Sequence, residues 1–68
     1  MTSREAARQS AEAIERLAHE VAQARDPYQA AHLVASMQQE TRRLGEEMLR
    51  IREEMLRIRE EERQQQPA

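Results

Sequence analysis

The sequence predicts an all-α protein: an antiparallel helical hairpin with a short first helix and a long, coiled-coil-like second helix, assembled into an oligomeric bundle. One Gly, two Pro, no Phe or Trp and few β-branched residues leave little from which to build a sheet. Apolar residues recur at alternating intervals of three and four over most of the chain, the spacing of a single helix face. A chain of 68 residues buries only about 60% of the surface its unfolded form exposes, and with no cysteine to form a disulfide its expected stabiliser is association. The whole chain is read as one module.

The first helix is expected over about 3–25. Thr2 followed by Glu5 has the spacing of a capping box, in which a hydroxyl accepts from an otherwise unpaired amide of the first turn. From there Ala7, Ser10, Ile14, Leu17, Val21 and Ala24 form one narrow face. Ala6, Ala11, Ala18 and Ala22 widen it and are small enough to let another helix approach closely, although alanine also favours helix on propensity alone.

Asp26-Pro27 marks the turn. Asp can cap the next helix, Pro suits its first position because it has no amide to lose, and Pro27 clashes with a helix entering from the N-terminal side. The apolar register breaks at the same place. Continuing the first seam leads to Tyr28, Ala31, Ala35 and Gln38, whereas the stronger seam is displaced by one residue: Ala30, Val34, Met37, Thr41, Leu44, Met48, Ile51, Met55 and Ile58.

The second helix is expected over about 27–63, followed by a frayed polar tail at 64–68. At 1.5 Å per residue the helices span about 34 and 55 Å, so the first should cover the second only to around Arg50 and leave about 14 residues without an intrachain partner.

That uncovered part repeats itself: EEMLRIR at 46–52 recurs without change at 53–59. With Val34, Thr41, Met48 and Met55 at a positions and Ala30, Met37, Leu44, Ile51 and Ile58 at d, glutamates fall at g and Arg52 and Arg59 at e. In a parallel pair Glu47 would meet Arg52 of the neighbour and Glu54 its Arg59, contacts that set partner and orientation. The same charges also suit intrahelical pairs, Glu46 with Arg50 and Glu53 with Arg57, which would solvate and stiffen the helix. Parallel dimers favour β-branched residues at a and Leu at d, whereas here Met is at a and Ile at d. Leu49 and Leu56 at b widen the stripe further, which favours contact with more than one helix, as in a four-helix bundle made from two hairpins.

Composition excludes several function classes. Eleven basic residues, all arginine, stand against thirteen acids for a net charge of -2, so the chain lacks the positive excess of a nucleic-acid-binding face. Arg42-Arg43, the one adjacent basic pair, lies among Glu40, Glu46 and Glu47 and is read as solvated surface. No apolar run approaches the roughly 20 residues of a membrane span, and the lack of cysteine fits a cytoplasmic location. His19 and His32 fall opposite the seams of their helices with no second ligand type at a matching interval, so neither metal nor catalytic chemistry is expected. Tyr28 is expected to cover the end of the hairpin core. Gly45 costs about 1 kcal/mol in a helix and marks either close approach by a neighbour or local softness. Met48 and Met55 are read as core filling, with an adaptable groove as the alternative.

The function expected is non-enzymatic oligomerisation or protein docking through the apolar stripe of the second helix. The residues expected at the interface are Val34, Met37, Thr41, Leu44, Met48, Leu49, Ile51, Arg52, Glu54, Met55, Leu56, Ile58 and Arg59. The expected partner is a second copy, in a dimer or a larger even-numbered assembly, and no cofactor is implied. An alternative is a small regulator or inhibitor whose C-terminal helix enters a groove on a larger protein. A nucleic-acid-associated accessory protein would require arginines of several chains to converge.

Overall fold

The computed structural model describes residues 1–65 and contains two helices, α1 over Ser3–Gln23 and α2 over Pro27–Gln65. They fold back on each other as an antiparallel hairpin with one short and one long arm. The Thr2 hydroxyl oxygen accepts from the Glu5 amide at 3.1 Å, starting α1 at the expected cap. The Asp26 carboxylate does the same for α2, accepting from the Tyr28 amide at 2.8 Å.

The turn is longer than the sequence suggests. The first helix stops at Gln23 instead of Arg25, because Ala24 leaves helical geometry at φ -66°, ψ 133° while its amide still donates to the Val21 carbonyl at 3.2 Å. Three residues, Ala24–Asp26, then reverse the chain without a positive φ. The far end of α2 differs as well. Gln64 and Gln65, expected in the tail, are helical, and the remainder of that tail at 66–68 lies outside the described residues.

The contact between the helices is thin. Every residue of the narrow face, from Ala7 through Ser10, Ile14, Leu17 and Val21 to Ala24, is turned at least partly away from solvent, yet among the described residues Ser10 alone is buried, at 6% exposure, and no apolar side chain is. A pair of helices can cover only one stripe on each partner. The molecule measures 65 × 17 × 13 Å with a radius of gyration of 17.8 Å, against about 11 Å for a compact chain of this length.

On α2, cover from α1 ends at Ile51, and residues 52–65 are all exposed. This matches the limit expected from helix lengths. The stripe that meets α1 is nevertheless not the full expected seam. The d residues Ala30, Met37, Leu44 and Ile51 are half-buried, but their companions are Leu33, Ser36, Glu40 and Glu47, whereas Val34, Thr41 and Met48 are exposed. The glutamates suit this place because a glutamate can shelter its methylene stem while its carboxylate stays paired, here with Arg43 and Arg50 one turn onward, at 3.1 and 2.6 Å.

Candidate interaction surface

Because α1 takes the d and g side of α2, the a, e and b positions point elsewhere. Met48 and Leu49 are each 58% exposed, Met55 52%, Leu56 51% and Ile58 44%. Met48, Ile51, Arg52, Met55, Leu56 and Arg59 line a shallow, almost wholly apolar groove of about 320 Å³ that begins where α1 ends. Of the residues expected at an interface, Met37, Leu44 and Ile51 are therefore engaged within the hairpin. Val34, Thr41, Met48, Leu49, Arg52, Glu54, Met55, Leu56, Ile58 and Arg59 face solvent.

The ion pairs refine the charge pattern. Among the described residues they are Arg8–Glu12, Arg43–Glu40, Arg50–Glu47 and Arg63–Glu60, three of them at i,i+3 spacing. Arg50 thus pairs with Glu47 in place of the expected Glu46, and Glu47, at 15% side-chain exposure, is not displayed for a neighbouring chain. Glu54, Arg52 and Arg59 take part in none of these pairs.

The two broad faces of the hairpin differ in character. On one, Gln9 and Ala13 of α1 meet Arg43, Glu46 and Glu47 of α2 around a depression of about 310 Å³ whose lining mixes charged and apolar groups, Met1 and Ala6 among the latter. Helix periodicity places Ala11, Ala18 and Ala22 on the opposite flank of α1 and Val34, Thr41 and Met48 on the corresponding flank of α2. All six are exposed. Thr41 adds no unmet polar hydrogen there, since its hydroxyl donates to the Met37 carbonyl at 2.8 Å.

The remaining candidates resolve simply. His19 and His32 are exposed, and among the described residues no group of three or more His, Cys, Asp or Glu comes together. Tyr28 is 85% exposed and does not cover the hairpin core, because α1 leaves the turn on the other side of α2. A side-chain carbon added at Gly45 would meet nothing within 4 Å, so no close approach inside the hairpin accounts for that glycine. Leu33, half-buried beside α1, lay outside the expected seam; an apolar residue one position before Val34 was the available signal.

The fold and surface together define an elongated all-α hairpin with exposed apolar residues consistent with a protein-interaction surface, and no helix among the described residues is long and apolar enough to cross a membrane. The chain matches no protein-family model, no curated protein and no solved structure at a significant level.

Proposed function

We propose that the protein is a non-enzymatic association module whose working surface is the uncovered side of α2, and that it uses this surface first of all on itself. The observation that supports this reading is the run of Met48, Leu49, Met55, Leu56 and Ile58, each more than two-fifths exposed on a helix that its own chain leaves uncovered after Ile51. Leaving large apolar side chains in water forgoes the roughly 1.5–3 kcal/mol that full burial of each would contribute. Among the described residues the hairpin has no buried apolar side chain with which to offset that loss. A cytoplasmic setting belongs to the same proposal, in keeping with a chain that holds no cysteine.

Sedimentation equilibrium of the untagged chain at tens of micromolar tests the reading, and at least two chains per particle is the expected result. A stable, highly helical monomer would remove self-association and leave docking of α2 into a groove on a larger protein as the use of the stripe.

A further inference from the structure

The difference between the two broad faces says more than that a partner exists. One face carries Gln9, Arg16, Arg43 and Glu46, while along the other Ala11, Ala18 and Ala22 lie beside Val34, Thr41 and Met48, with Arg4 and Glu15 at the N-terminal continuation of the alanine rows and Gln38 at the edge on α2. We propose that this second face is covered by a second copy of the chain, the two hairpins being related by a twofold axis along their length so that both long helices point the same way. The proposal rests on the self-association reading and adds to it a face and an orientation.

With that axis, each α1 lies against α2 of the second copy as well as its own, antiparallel to both. Its alanine flank then meets the larger Val34, Thr41 and Met48, so small residues oppose large ones in the manner of interdigitating core layers. Gly45 falls beside this contact. Its cost to the helix is unexplained within one hairpin, where nothing lies within 4 Å of an added side-chain carbon, and it has a use where a second backbone passes closely.

Beyond Ile51 neither α1 reaches, and the two α2 tips face each other across the diagonal of the four-helix base. The a and d residues Met55 and Ile58 point along that diagonal, midway between the direction of the chain's own α1 and that of the second copy's. Glu54 of each copy then stands opposite Arg59 of the other, and neither takes part in an ion pair among the described residues. In the reverse orientation the two tips lie at opposite ends of the particle, so Glu54 and Arg59 of one copy find no counterpart on the other and Met55 and Ile58 stay uncovered. Leu49 and Leu56 lie at the outer edge of the parallel seam.

The area suffices. The overlapping face is about 31 Å long and roughly 20 Å wide, and each tip adds about 21 Å of single helix. Together these approach the ~800 Å² per partner of a stable specific interface.

Three variants test the face and the orientation once the mass of the wild-type particle is known. Ala18→Glu places a charge on the alanine flank without opposing helix formation, and Gln9→Glu places the same charge on the polar face. The first is expected to weaken the dimer at least about tenfold, or ~1.4 kcal/mol, with hairpin helicity retained in circular dichroism, and the second to leave it unchanged. The chain has no cysteine, so Gln65→Cys reports orientation: mild oxidation should join the two tips covalently, whereas Glu12→Cys on the outer side of α1 should not cross-link. A dimeric wild type with an unaffected Ala18→Glu variant, or without cross-linking at position 65, overturns the arrangement and leaves self-association standing. A monomeric wild type overturns both.

Discussion

Asp26 Oδ1 accepts from the Tyr28 amide at 2.8 Å, and Pro27 has no amide to satisfy, so two of the four positions at the start of α2 that lack helical acceptors are provided for. Replacing Asp26 by Ala should therefore lower stability by about 1 kcal/mol, read as a fall in the urea midpoint at constant slope. Tyr28→Ala, next to the same cap but 85% exposed, should change stability by less than about 0.5 kcal/mol. The cap was legible because it depends on residues two positions apart. The exposure of the tyrosine was not, since it depends on the side from which α1 leaves the turn.

Within each element the periodicity located the helices but only half of the contact on α2. A stripe with apolar residues at a, d and b offers a neighbour more than one side to occupy, and α1 occupies the side shared by d and g. Leu33 consequently does structural work that the sequence pattern assigns to Val34. Leu33→Ala should cost about 1–2 kcal/mol in urea unfolding, less than the 2–5 kcal/mol of a fully buried leucine because this side chain is only half-buried. The arginines show a related limit. Spacing allows Arg50 to reach either Glu46 or Glu47, and it takes Glu47, whose side chain is only 15% exposed.

Across the whole molecule, Ile51 joins the two regimes, being the last residue of α2 that α1 shelters, directly before the exposed run 52–65. Ile51→Asp places an unpaired charge at that junction and should abolish assembly or reduce helicity. The double variant His19→Gln, His32→Gln should leave both unchanged, since each imidazole is exposed; circular dichroism with concentration-dependent mass measurement compares the two proteins. Solution scattering offers a shape test. A dimer with parallel tips should keep a maximum dimension near the 65 Å length of one chain, whereas tips at opposite ends would add about 21 Å.

The sequence by itself determined two helices, their caps, the break at Asp26-Pro27 and the length of the uncovered tip, because these follow from local hydrogen bonding, from proline geometry and from a fixed rise per residue. Tertiary structure alone decided which flank of α2 meets α1. Several registers of a broad apolar stripe are nearly equal in local propensity, and they separate only when a second helix must lie against one of them. That choice buries the stems of Glu40 and Glu47 within the hairpin and turns Val34, Thr41 and Met48 outward beside the alanines of α1. The face on which the alanines of α1 lie beside Val34, Thr41 and Met48 thus arises from two helices jointly, and it is absent from the pattern of either one.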